Sequence, residues 1–160
     1  MLKRSFIFAL STIALLAGCA SVKTPLSVTD TLAGQPELST LNSLVTKAGL
    51  SDTLRGAGPF TVFAPSNAAF AKVPAKILEA LSNDPAQLKA VLTYHVVPGK
   101  LMVADVKNGD SKTVNGASLA LSRAGDFLTV EDALVQTPNL VATNGVVHVV
   151  DSVLLPPVKR

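Results

Sequence analysis

The hydrophobic positions keep a helical period over the first half of the chain and an alternating one over the second. Between Pro36 and Gly49 the residues Leu38, Leu41, Leu44, Val45 and Ala48 recur three or four apart, which lays one apolar stripe along a helix. Pro36 opens that stretch and Gly49 closes it. Gly56-Ala57-Gly58-Pro59 reads as a turn, and Phe60-Thr61-Val62-Phe63-Ala64 is aromatic and β-branched enough to be a strand, which Pro65 ends. Ser66 and Asn67 then stand where a helix cap accepts an orphan backbone N–H, ahead of Ala68-Ala69-Phe70. A short helix is predicted from Pro74 to Leu81. Asp84-Pro85 joins a cap to a first-turn proline, and the helix that follows aligns Leu88, Val91, Leu92 and His95 at i, i+3, i+4 and i+7. His95 therefore falls on the apolar side.

From Val96 the period is two. Breaks at Pro98-Gly99, Asn108-Gly109, Asn115-Gly116 and Gly125 separate short segments, Leu119 and Leu121 alternate with Ala120 and Ser122, and Phe127 to Val130 is a further strand. Thr143-Asn144-Gly145-Val146 carries the signal of a hairpin with a type I′ turn, whose two central residues need positive φ. The strand after it, Val146 to Val150, puts His148 on the same face as Val146 and Val150. Helices first and strands later predict an α+β fold with an antiparallel sheet at its core. Within residues 131–140, Gln136-Thr137-Pro138-Asn139 interrupts the strand pattern, which predicts an edge position or a local loop because proline has no N–H for the ladder.

Composition narrows the reading. A chain of 160 residues with 48% hydrophobic and 16% charged residues can bury one core and is not a disordered chain. Its 14 Lys and Arg against 11 Asp and Glu give +3, of which Lys3 and Arg4 supply two. With no Trp, one Tyr and six Phe, and no dense basic face, nucleic acid is excluded as a partner.

Lys3 and Arg4, the apolar run from Phe6 to Leu16, and the small residues Ala17 and Gly18 before Cys19 compose a secretory signal over residues 1–18. The run is short for a bilayer-spanning helix, and no second candidate follows. Leu16-Ala17-Gly18-Cys19 resembles the lipobox of bacterial lipoproteins, in which the cysteine thiol is acylated and becomes the mature N-terminus. That resemblance implies a lipid on Cys19, and Ala20 and Ser21 after it are similar to the outer-membrane sorting pattern. Cys19 is the single cysteine, so the mature domain holds no internal disulfide. Residues 19–29 are predicted to be a lipidated cysteine and tether, 30–157 the domain and 158–160 a tail. The ten residues from Ala20 to Thr29 extend at most about 35 Å, which keeps the body near its membrane.

Phe60 to Phe70, then Tyr94-His95-Val96-Val97-Pro98-Gly99-Lys100, then Val141 to Asp151 resemble, in order and spacing, the three motifs of the fasciclin (FAS1) domain family. The resemblance runs from about Pro25 to Pro157. It implies N-terminal helices packed around a β-wedge of mainly antiparallel strands, and adhesion or surface interaction without catalysis. In animal members the Tyr-His neighbourhood is linked to integrin-dependent adhesion, which maps onto Tyr94 and His95 as candidate partner contacts. Phe63, Pro65, Asn67, Asn144, Gly145, His148 and Asp151 are the motif residues with expected structural roles. Many members carry tandem domains. This sequence shows one copy, so multivalent contact needs clustering on the membrane.

An enzyme built from His95, His148, Ser66 and Asp151 has little to stand on. There is no G-x-S-x-G turn, the cysteine is expected to be acylated, and two distant histidines without Cys partners make no recognisable zinc site. No cofactor is expected. Each histidine reads first as a buried, hydrogen-bonded framing residue. Tyr94 suits a core edge or a contact patch, because its ring can pack while its hydroxyl reaches outward, and on the second reading Tyr94→Ala stays folded and loses its partner. The sequence thus predicts an exported, lipid-anchored interaction or adhesion module on the cell membrane, outer-membrane by its sorting pattern, facing periplasm or surface. Its partner would be a protein or polysaccharide of the envelope or extracellular matrix. The alternative is an envelope small-ligand or lipid binder using a groove between helices and wedge.

Overall fold

The computed structural model describes residues 26–157. The expected signal peptide, Cys19, the start of the tether and the tail at 158–160 lie outside the described residues. Six helices are followed by most of the strands: α1 Val28–Ala33, α2 Ser39–Lys47 preceded by a 3-10 turn at Pro36–Leu38, α3 Ser51–Arg55, β1 Phe60–Pro65, α4 Asn67–Lys72, α5 Ala75–Asn83 and α6 Pro85–Tyr94. Then come β2 Val96–Pro98, a 3-10 turn at Val103–Asp105, β3 Gly109–Lys112, β4 Ser118–Ala124, β5 Phe127–Val130, β6 Ala133–Ala142 and β7 Gly145–Val150. The order of elements is that of an α+β fold.

The body begins earlier than the sequence pattern places it. Ser27 opens α1 with a capping box: its Oγ accepts from the Asp30 N–H at 3.3 Å while the Asp30 carboxylate accepts from the Ser27 N–H at 3.3 Å. Val28 and Thr29, read as tether, are therefore buried helix residues. The box is legible as Ser27-x-x-Asp30, but Pro25 and the polar neighbours mask it.

One seven-stranded sheet runs β2-β1-β7-β6-β5-β4-β3, antiparallel throughout except for the parallel pair β1 and β7. That pair is covered on both faces. Val62, Ala64, Val147 and Val149 point into a core shared with α1, α2, α3, α5 and α6, whereas Phe63 and Val150 point into a second core with Val97, Leu119, Leu121, Leu128 and Val130. Burial on both faces explains why β7 is a continuous apolar run apart from His148. Apolar surface removed from water stabilises by about 25 cal/mol per Å2, and this pair loses it on both faces.

One strand expectation holds locally and another changes. Residues 136–139 are strand rather than loop, and they lie at a local edge: β6 pairs with β5 only at Ala133 and Leu134, so beyond them it has β7 alone beside it, with register shifts between Val135 and Thr137 and between Thr137 and Leu140. Pro138 sits in the second shift, where no ladder donor is needed, and Asn139 takes φ 58°. The hairpin between β6 and β7 forms where predicted, with Ala142 opposite Gly145, but neither Asn144 nor Gly145 has positive φ, so the turn is not type I′. Gly145 is needed for closeness instead. A Cβ there would run into the Phe60 carbonyl and meet Val28 Cγ2 at 3.0 Å.

Candidate functional site

The motif residues converge on the joints of the fold. Asn144 ties the hairpin to two helices: its Oδ1 accepts from the Val28 N–H at 2.8 Å, and its Nδ2 donates to the carbonyls of Leu54 at 2.7 Å and Gly56 at 3.0 Å. Ser66 caps α4 by accepting from the Ala69 N–H, and the neighbouring Asn67 caps a different helix. Its Oδ1 accepts from the Thr40 N–H at 3.0 Å, at the start of α2, where Leu38 offers no capping side chain, and its Nδ2 donates to the Pro36 carbonyl at 3.0 Å. Pro65 closes β1 opposite Val150. Asp151 Oδ1 accepts from the Leu134 N–H at 2.9 Å while Lys72 Nζ lies 3.5 Å from its Oδ2. Partial burial pushes that carboxyl up, but the Leu134 N–H and the Lys72 ammonium outweigh it and hold its pKa below the usual range.

His148 joins three layers. Its ring stacks on Phe63 with centroids 5.6 Å apart, its Nε2 donates to the Leu101 carbonyl at 2.8 Å, and its Nδ1 accepts from the Asn139 N–H at 3.1 Å. The bulge in β6 thus directs a backbone N–H at a side chain of β7 instead of at its backbone. Thr61 extends the link, accepting from the Leu101 N–H at 2.9 Å and donating to the Gly99 carbonyl at 2.7 Å. Burial lowers the pKa of His148, with the bond to Leu101 opposing.

Tyr94 and His95, the candidate contact pair, are each only 2% exposed. His95 forms the C-cap of α6. Its Nδ1 donates to the Val91 carbonyl at 2.8 Å and its Nε2 accepts from the Leu154 N–H at 3.0 Å, so the ring is neutral, with its pKa pushed down to about 4 by burial. The Tyr94 hydroxyl lies between the Ser118 carbonyl at 3.1 Å and Glu131 Oε1 at 3.2 Å, and burial, followed by the Glu131 charge, raises its pKa to about 12. Neither side chain is a broad contact surface: the hydroxyl and both ring nitrogens bond within the fold, and Tyr94 is reached only through the floor of a cleft. Tyr94→Ala is likewise not a neutral probe, since emptying a buried aromatic site costs about 3–5 kcal/mol.

The pair instead shapes the surface around it. After β7 the chain continues through residues 153–157 as an irregular strap, whose Leu154 N–H is held by His95 and whose Leu154 side chain is buried. The strap is the shared wall of two clefts. One, about 400 Å3, has Tyr94 in its floor and Ser118, Glu131, Asp132 and Ser152 around it; the other, about 560 Å3, is lined chiefly by Ile77, Leu81, Ala90, Val91 and Pro156, with Gln87 and Asn115 as its amides. Leu155 and Pro157 border both. The first offers carboxylates and hydroxyls, the second an apolar trough, and neither contains a histidine. With both nitrogens of each imidazole bonded to backbone, no histidine is free to exchange a proton with a substrate.

Glu131, Asp132 and the strap are the parts the sequence pattern does not single out, and Asn139 stands in it only within an interruption of the strand. Glu131 adopts φ 54° and accepts from the Ala120 N–H at 2.9 Å as well as from Tyr94. An Asp or Glu pair between two short apolar runs reads only as a polar turn, and four strands separate Glu131 from Tyr94 along the chain.

A family profile described as Fasciclin domain matches residues 36–156. Protein sll1483 of Synechocystis is 39% identical over 140 residues, covering 86% of this chain and 78% of that protein. The immunogenic protein MPB70 of Mycobacterium bovis is 40% identical over 127 residues, 76% of this chain and 65% of that one. The cell surface glycolipoprotein MPB83 of the same species is 39% identical over 127 residues, again 76% of this chain but 57% of the relative. In three dimensions the chain is similar to a FAS1 domain pair from the insect cell adhesion molecule Fasciclin I, with TM-score 0.67 at 18% identity, over 81% of this chain and 51% of that one. At that identity the likeness speaks for the fold alone. With the profile covering all three motifs and the strands superposing on a solved FAS1 domain, the chain belongs to the fasciclin domain family.

Proposed function

We propose that the protein is a non-catalytic interaction module of the fasciclin type, exported and lipid-anchored at Cys19 in the envelope or on the cell surface, where it binds a protein or polysaccharide partner. The observation that carries this reading is the strap with its two clefts, a concave surface on a rigid double core whose histidines are spent on holding the fold. The mycobacterial relative named a cell surface glycolipoprotein supports the location, and membership of the fasciclin domain family supports the class of activity. A lipid at Cys19 gives firm anchorage once more than one acyl chain is attached.

The test is capture from envelope extracts by the intact lipidated protein in detergent, comparing wild type with Leu155→Asp and Asp132→Lys. Both positions are exposed, so both variants keep the wild-type unfolding midpoint. Loss of a captured partner in either variant supports the reading; unchanged capture in both removes the strap surface from it. The apolar trough favours a second reading, an envelope binder of small apolar ligands, because about 560 Å3 lies in the range of small-molecule sites. Native mass spectrometry of protein purified from its membrane separates the two: a co-purifying apolar mass that Leu155→Asp abolishes supports the second.

A further inference from the structure

The point where the chain enters the body and the clefts at the strap lie at opposite ends of β7. Leu26 is fixed to the β6–β7 hairpin, for its carbonyl accepts from the Thr143 N–H at 2.9 Å and from the Thr143 hydroxyl at 3.2 Å. That hairpin meets β7 at Gly145, whereas the strap departs beyond Val150, about 17 Å further along a six-residue strand. Two more loops gather at the hairpin end. The turn at residues 56–59 is held by the Asn144 side chain and by the Phe60 N–H donating to the Asn144 carbonyl at 3.0 Å, and the Gly99 N–H donates to the Pro59 carbonyl at 2.9 Å.

What this end shows to solvent is apolar and cationic. Leu26 is 50% exposed and Val141 58%, two of the most exposed large apolar residues described, and Pro59, Pro98 and Lys100 are exposed beside them. The depression between the loops has Lys100 in its lining and no carboxylate. The acidic group on the adjoining helix, Asp30, is occupied by Ser27 and lies 3.7 Å from Arg55. The strap end also exposes apolar surface, in its trough, but differs in charge: Glu131 and Asp132 line its polar cleft, and no cation does.

From this polarity we infer that the hairpin end is a membrane-docking face, with the surface of the lipid bilayer as its occupant. Leu26 and Val141 enter the interfacial layer, Lys100 sits at headgroup phosphates, and the strap clefts point away from the membrane. The inference rests on the reading of Cys19 as the lipid attachment point. Cys19 precedes Leu26 by seven residues, 26 minus 19, so the intervening chain reaches at most about 25 Å and delivers the hairpin end to the bilayer first. Held that close, the body has a high local concentration at the membrane, and contacts too weak to bind a free protein suffice to orient a tethered one.

The experiment uses the full-length lipidated protein in vesicles of phosphatidylethanolamine and phosphatidylglycerol. Single cysteines at the hairpin end (Val141→Cys, Thr143→Cys) and at the strap end (Ser152→Cys, Leu155→Cys) carry a bimane fluorophore, and headgroup-nitroxide lipids serve as the quencher. Blue-shifted, quenched emission at Val141 and Thr143, with neither effect at Ser152 and Leu155, is the expected result. The combined change Val141→Asp and Lys100→Glu then abolishes the shift at Thr143 while the protein still floats with the vesicles. Equal quenching at both ends, or none at either, in protein that floats overturns the docking face and leaves the anchor standing. Flotation of Cys19→Ser as efficient as wild type, or a wild-type Cys19 that itself takes the fluorophore, overturns the anchor and the docking face together.

Discussion

At the scale of single residues, the side chains with acid-base chemistry are used as fasteners. His95 illustrates the energetic consequence. In the unfolded chain its imidazole takes a proton near 6.5, and in the fold it stays neutral down to about 4. Between those values the unfolded state binds more protons, so stability falls as pH drops through the window, by about 1.4 kcal/mol per unit at the steepest for this one group. His148, lowered in the same direction, adds to it. Urea midpoints should therefore decline from pH 7 to pH 4.5, and His95→Gln should flatten part of that decline, because an amide can replace neither proton nor charge. A midpoint independent of pH over this range would contradict the neutral, doubly bonded imidazole. Near pH 4, where His95 takes up its proton in the fold, the bond from the Leu154 N–H is lost, since a protonated Nε2 no longer accepts.

Among the elements, those whose information is local were readable from the sequence and those set by neighbours were not. Helix α6 could be read entire because Asp84 caps it, its Oδ1 accepting from the N–H groups of Ala86 and Gln87, and Pro85 begins it. β4 and β5 followed from their alternation. The course of β6 could not be read, because whether Pro138 breaks a strand depends on what lies opposite, and what lies opposite is His148. Of the candidate site, the motif residues were legible and their packing role was expected for both histidines. The surface they support was not, since Tyr94 meets Glu131 only after α6 has folded over β4 and β5. Asn139 gives a test at this scale. Its φ of 58° is tolerated by Asn or Gly, and its Oδ1 accepts from the Val103 N–H at 3.0 Å. Asn139→Ala loses the bond and meets the left-handed penalty, about 2 kcal/mol together, whereas Asn139→Gly loses the bond and costs about 1 kcal/mol. Chemical denaturation that ranks alanine above glycine would show that the bulge is set by something other than the backbone of this residue.

Across the whole molecule, two cores share one central pair of strands, and the only parallel contact of the described sheet is that pair. Removing β7 therefore takes the middle out of both cores at once and leaves β1 and β6 with open edges. A chain cut after Ala142 should show no cooperative thermal transition and no dispersed amide spectrum, while a chain cut after Pro157 keeps both. A folded product from the shorter chain would mean that the helices and β1 make a core without their partner. The polarity of the sheet has a matching meaning for presentation, for a body entered at the Gly145 end of β7 offers its concave surface at the Val150 end.

The pairing of β1 with β7 also bears on how such a chain is made. Pro65 ends the first strand and Gly145 begins its parallel neighbour about 80 residues later, with every other strand between them in the order of synthesis. Until then β1 has only the three-residue β2 to pair with, so the middle of the sheet closes late in synthesis. Late closure leaves the apolar run Phe60 to Ala64 without its main partner while the chain grows, the kind of exposed strand that invites aggregation.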